Sequence, residues 1–219
     1  PKSNLASMGV YVFTWDVLKK YLKKDEKNPE SANDFGKNII PEMLGAKEKL
    51  FAYGFEGYWK DVGTVYSLWE ANMDLIAQPP AFDLYDKDWS IFSRNPVKPP
   101  HFTAKGAVVK DSCVTEGCNI YGTVRHSVLF EGVTVEKGAV VEDSIVFPGS
   151  VIGENSVIRN AVIGEQAIIG RDCIVGDEHT SDEKLKSKYC TGGISLVGGG
   201  VKLSDGKKIG VEEMVSHSM

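Results

Sequence analysis

Hydrophobic and polar positions follow two different rules along this chain. From residue 8 to about 77 the pattern is mixed. Met8 to Phe13 is apolar and β-branched, the composition of a buried strand. Thr14 stands where a helix N-cap belongs, and Val17, Leu18, Tyr21 and Leu22 then share one face at helical spacing. Residues 25–34, DEKNPESAND, are polar and contain Pro29, which predicts a surface loop. Ile39, Ile40, Met43 and Leu44 predict a short helix restricted by Pro41. Leu50 to Phe55 predicts a second strand. Thr64 caps a predicted helix from Val65 to about Ile76, with Val65, Leu68, Trp69, Met73 and Ile76 inward. Residues 78–101 hold Pro79, Pro80, Pro96, Pro99 and Pro100, but also Phe82, Leu84, Tyr85, Trp89, Ile91 and Phe92. That mixture predicts an extended connector strapped onto both halves rather than a flexible linker.

After residue 101 the period changes. Counting from Ala107 through Cys113, Asn119, Thr123, Val128, Val133, Ala139, Ile145, Val151, Val157, Val162, Ile168 and Ile174, most steps are six residues. The following residues are Val108, Val114, Ile120, Val124, Leu129, Thr134, Val140, Val146, Ile152, Ile158, Ile163, Ile169 and Val175, all aliphatic except Thr134. Gly122, Gly132, Gly138, Gly153, Gly164 and Gly170 recur close behind, at expected turns. A six-residue step marks a parallel β-helix, in which three hexads close one coil and stacked coils bury the aliphatic column. The stretch from about 177 to 191 breaks the rhythm and predicts an excursion. Residues 193–206 then predict one more partial coil that caps the end. The chain thus divides into 1–77, a connector at 78–101, a β-helix at 102–210 and a tail at 211–219.

Composition narrows the picture without changing it. Of 219 residues, 42% are hydrophobic and 25% charged, ordinary values for a globular protein. The net charge of −5 argues against a broad nucleic-acid face. No apolar run is long enough to cross a bilayer, and no charged-then-apolar leader pattern is present. Cys113, Cys118, Cys173 and Cys190 have neither CxxC nor zinc spacing, and read as buried reduced thiols of a cytosolic protein.

The candidate chemistry sits at residues 57–64, GYWKDVGT. Tyr58 and Trp59 offer flat faces to a sugar ring. Asp61, before a glycine turn and a helix, suits Mg²⁺, which favours one or two carboxylates plus phosphate oxygens. Equally, Asp61 suits a helix cap and Trp59 a core position. Asp34 likewise reads as a ligand contact or a helix N-cap, and Ser7 as a contact or a strand edge.

PKSNLASMGVYVF, NDFGKNIIP, AYGFEGYWKDVGTVYSLWEANMDL and LYDKDWSIFSRN, in this order before the hexads, resemble bacterial glucose-1-phosphate adenylyltransferase (ADP-glucose pyrophosphorylase). The resemblance implies part of a Rossmann-like α/β nucleotidyltransferase domain followed by a left-handed β-helix, against the usual right-handed crossover. It implies a reaction of ATP with α-D-glucose 1-phosphate giving ADP-glucose and pyrophosphate for glycogen synthesis. By resemblance, Ser7 and Asp34 line the glucose pocket, Trp59 and Asp61 lie beside the sugar, and Asp61 also binds magnesium. The family's glycine-rich nucleotide loop, the Arg/Lys segment after it, its second magnesium aspartate and its Glu-Lys-Pro motif are not found in these residues. The sequence therefore reads as a truncated or proteolysed piece, inactive alone. The resemblance further implies a cytoplasmic enzyme, usually a homotetramer, with the β-helix packing subunits and forming part of a pocket for an anionic metabolite effector.

Two rival readings remain at this point. Many hexapeptide β-helices are acyltransferases that use a histidine between coils, and His126 in VRHSVLF is the candidate, or else a surface-turn histidine. A non-catalytic companion subunit is the other; such relatives tend to lose the sugar-site residues that Ser7, Asp34, Trp59 and Asp61 match here.

Overall fold

The structure, a computed structural model, describes residues 5–92 and 97–219. The first four residues of the PKSN motif, and Ser93, Arg94, Asn95 and Pro96 of the connector, lie outside it. The chain forms two compact units, Pro1–Gly57 and Tyr58–Met219.

The first unit is helical. Helix α1 (Trp15–Asp25) follows Thr14, which has extended N-cap backbone but no side-chain cap bond. Its Val17, Leu18, Tyr21 and Leu22 face a small core with Ile39, Met43, Phe13 and Leu50. A short π-helical segment, Phe35–Ile39, leads into α2 (Ile40–Gly45), with Pro41 in the first turn, where a missing N–H costs nothing. Ile39 and Met43 are buried, whereas Leu44 is exposed.

Neither predicted strand of this unit forms. Residues 8–13 and 50–55 belong to no regular element. Their alternation is real: Val10 and Val12 are exposed while Tyr11 and Phe13 turn toward Phe35. A strand exists through ladder bonds to a neighbour, and among the described residues none pairs with these two segments.

In the second unit, α3 (Val65–Ile76) has the predicted bounds and a complete capping box between Thr64 and Ser67. It buries Met73, Val65, Trp69 and Ile76 against Val128, Ile145, Val162 and Ile194 of the β-helix, and its Trp69 Nε1 donates to the carbonyl of Asp143 at 2.7 Å. The described residues of the connector form no regular element. Phe82 meets the Tyr58 ring, but Leu84, Tyr85, Trp89, Ile91 and Phe92 are exposed. The expected strapping therefore fails for these five: an apolar side chain is buried only where a facing surface encloses it, and even Leu84 and Tyr85, which line an open groove with Asp111, Ser112 and Cys113, stay in solvent.

The β-helix contains three parallel sheets of six strands. The strands are β1 (Phe102–Thr103), β2 (Val108–Lys110), β3 (Cys113–Val114), β4 (Asn119–Ile120), β5 (Thr123–Arg125), β6 (Val128–Leu129), β7 (Thr134–Val135), β8 (Val140–Glu142), β9 (Ile145–Val146), β10 (Val151–Ile152), β11 (Val157–Arg159), β12 (Ala161–Ile163), β13 (Ile168–Ile169), β14 (Ile174–Asp177), β15 (Ser195–Val197), β16 (Lys202–Leu203), β17 (Lys208–Gly210) and β18 (Met214–Val215). Every third strand stacks on the last: β1-β4-β7-β10-β13-β16 forms one wall, and the other two walls follow the same rule. Ile120, Leu129, Val146, Ile152, Ile158, Ile163, Ile169 and Val175 are fully buried inside, as the hexad count predicts. At three steps the count is one residue early: Val108 is exposed and Thr134 and Val140 are only partly buried, while the inward column runs through Val109, Val135 and Val141. Register explains this, because Thr134 aligns with Asn119 and Val151 in an outward column and Val135 with Ile120 and Ile152 in the inward one.

The recurrent glycines serve two purposes. Gly132 has φ +71, where a side chain is strained. Gly153 has ordinary backbone, but a Cβ there would strike the carbonyl of Gly170 on the next coil. The predicted excursion leaves after β14 and returns at β15. Fully buried Glu213 ties it down, accepting from the N–H groups of Asp182 and Gly210 at 2.5 and 2.6 Å. The residues after it complete further coils and end on β18.

Candidate functional site

Ser7 and Asp34 lie in the first unit. Ser7 Oγ is 2.9 Å from the Tyr11 hydroxyl and accepts from the Gly9 N–H at 3.2 Å. Tyr11 stacks on Phe35, which follows Asp34 directly. Asp34 Oδ1 accepts from the Lys37 N–H at 2.8 Å and caps the π-helical segment. The cap reading of Asp34 is thus realised, and the exposed carboxylate keeps its second oxygen clear of hydrogen bonds among the described residues. A groove of about 450 Å³ in this unit is lined by Trp15, Leu22, Asn33, Phe35 and Ile39 but by neither Ser7 nor Asp34.

Trp59 and Asp61 belong to the second unit. Trp59 is 49% exposed, which excludes the core alternative. Asp61 does not cap α3, since Thr64 does so. Instead, Asp61 Oδ1 accepts from the Gly63 N–H at 3.1 Å, closing an Asx turn that leads into the helix. This fixes the carboxylate and leaves it in solvent. As one hard oxygen donor, it fits a single ligand position of a Mg²⁺ that takes its other ligands from phosphate and water. Among the described residues, no three His, Cys, Asp or Glu side chains gather around one point.

Sequence reasoning missed what lies between Trp59 and Asp61. Lys60 Nζ donates to Asp74 Oδ2 at 2.6 Å and lies 3.0 Å from Glu70 Oε2. The Tyr58 hydroxyl donates to the same Asp74 oxygen at 2.9 Å. The Lys60 ammonium holds the Asp74 carboxyl below the usual carboxylate range, with the Tyr58 hydroxyl adding to the effect against partial burial. The available signal was Glu70 and Asp74 at i,i+4, one turn apart on the face of α3 that meets Lys60.

His126 sits at a corner of the β-helix with φ +41, its Nδ1 2.6 Å from Asp143 Oδ1 on the next coil. It is a turn histidine hydrogen-bonded to an aspartate. The four cysteines are free. Burial pushes each thiol above its ordinary range, so all four are protonated packing groups.

Residues 1–78 match a family model described as nucleotidyl transferase, and residues 99–197 one described as GlmU-like, C-terminal hexapeptide. Among curated proteins, the chain is 59% identical over 141 residues to a glucose-1-phosphate adenylyltransferase of Bacillus thuringiensis (strain Al Hakam), covering 64% of this chain and 38% of the relative. The enzyme of the same name from Bacillus cereus (strain Q1) matches equally, and that of Bacillus mycoides (strain KBAB4) at 58% over the same shares. The aligned part of the chain thus spans about 38% of the length of the curated relatives it matches.

Proposed function

We propose, from this similarity to bacterial glucose-1-phosphate adenylyltransferases, that the chain is the sugar-side portion and β-helix of an enzyme of that activity. The enzyme joins ATP and α-D-glucose 1-phosphate into ADP-glucose and pyrophosphate, feeding glycogen synthesis in the cytoplasm. The observation that carries this reading is 59% identity over 141 residues to proteins of that name. A fixed, solvated carboxylate beside a half-exposed indole supports it.

In the reaction, a phosphate oxygen of glucose 1-phosphate attacks the α-phosphorus of ATP, and pyrophosphate leaves in line. Trp59 presents its face to the hexose ring. Ser7 and Asp34 hold sugar hydroxyls, and Asp61 orients the sugar phosphate side. Magnesium, when bound through Asp61, offsets phosphate charge. Most of the rate then comes from positioning and charge stabilisation. The 219 residues contain no glycine-rich loop to cradle ATP phosphates with backbone N–H groups, so they do not perform the reaction unaided. The β-helix serves subunit packing in a homotetramer and contributes to a site for an anionic effector.

The test is pyrophosphate release from ATP and glucose 1-phosphate by the longer protein that contains this sequence. Turnover is expected, and Asp61→Asn should lower kcat/KM by about a hundredfold. No ADP-glucose at any effector level overturns the proposal.

A further inference from the structure

Tyr58 and Lys60, two residues apart, reach the same oxygen of Asp74. Trp59 and Asp61, which alternate with them in sequence, are both exposed to solvent. Lys60 is gripped twice, by Asp74 and by Glu70 one helical turn away. Its side chain is 23% exposed, and that of Asp74 26%. Charges withdrawn this far from water add little net stability, but they hold a single geometry well. The helix that carries both carboxylates is itself fixed, by its capping box, by Trp69 donating to Asp143 and by Met73 packed on the β-helix.

We infer that Lys60, clamped between Glu70 and Asp74, is the positioning residue that sets Trp59 and Asp61, and that α3 thereby ties residues 58–61 to the β-helix. The clamp is independent of the function proposed above; its service to a sugar phosphate rests on that proposal.

Two measurements decide the two halves. The chain has four tryptophans, so 5-fluorotryptophan labelling gives four ¹⁹F resonances assignable by single Trp→Phe changes. Lys60→Met is expected to shift and narrow the Trp59 resonance, leave those of Trp15 and Trp69 in place, and be reversed by Lys60→Arg. An unmoved Trp59 resonance overturns the clamp. If Lys60→Met fails to fold, Asp74→Asn, which keeps an oxygen for Tyr58, is read the same way. In the longer protein, Lys60→Met should raise KM for glucose 1-phosphate by about tenfold or more while KM for ATP stays within about twofold, and Lys60→Arg should recover most of it. Equal effects on both substrates, or none, overturn the positioning role. An unaltered protein that turns over no glucose 1-phosphate sinks the functional proposal, while the fluorine spectra still judge the clamp.

Discussion

The hydroxyl of Ser144 donates to the carbonyl of Glu142 at 2.7 Å and accepts from the N–H of Ala161, on the next coil, at 3.2 Å. Ser127 does the same one coil earlier, toward Arg125 and Ser144. Both serines are fully buried. Ser144→Ala leaves the Ala161 N–H enclosed without its acceptor, and the expected cost is about 1–3 kcal/mol; denaturant unfolding at an unchanged m-value checks it. A loss too small to measure would mean that water or a backbone shift satisfies that corner. These serines were not legible in the sequence. The hexad count tracks apolar positions, and a serine at a corner looks like any turn residue until the coil above it is known. Thr64 shows the opposite case. The Thr64 cap was readable because its partner, Ser67, lies three residues on, while at Asp61 the sequence offered a helix cap and the structure has a local turn to Gly63 instead.

The same division holds for whole elements. Helix α3 was readable to the residue, since its cap and its apolar stripe are local. Residues 8–13 and 50–55 carry strand-like composition yet form no strand, because composition specifies a preference and a ladder needs a second chain segment. The excursion was visible as a break in period, but its anchoring was not. Glu213 and Asp177 reach it from either end of the gap, and only the fold brings them there. The backbone N–H of His179 and the hydroxyl of Thr180 hold the Asp177 carboxyl below the usual aspartate range, with Lys208 nearby adding to this against the opposing effect of burial. A carboxyl depressed in the folded state stabilises it above the unfolded value of about 3.9 and loses that contribution as the pH falls through the lower folded value. The melting-temperature gap between the wild type and Asp177→Asn is therefore expected to be constant above about pH 5 and to close below about pH 3.9. A gap that widens on acidification contradicts this role.

Taken as a molecule, the chain distributes its buried apolar residues very unevenly. The first unit encloses Tyr21, Ile39 and Met43. The second encloses a continuous column from Cys118 to Val215, sealed by coil-to-coil hydrogen bonds. Local opening follows buried contacts, so amide exchange should be slowest in β6 through β12 and faster in α1 and α2 by about a hundredfold or more. Equal protection in both units would show that the first has a source of stability beyond its own core. The β-helix was legible in the sequence because periodicity repeats the same evidence at every turn, so that even three misplaced steps did not hide it. The first unit was half legible, since its helices advertise themselves locally and nothing periodic corroborates the rest.

Ile152 aligns with Ile169, seventeen positions on, but Ile169 aligns with Leu203, thirty-four positions on. The residues that leave the wall after Asp177 therefore amount to one whole circuit turned outward, and the lattice resumes above them without slipping phase. Wall and protrusion are alternative fates of the same length of chain. A scaffold built this way acquires a new surface loop by everting a rung it already owns, and every rung above keeps its place.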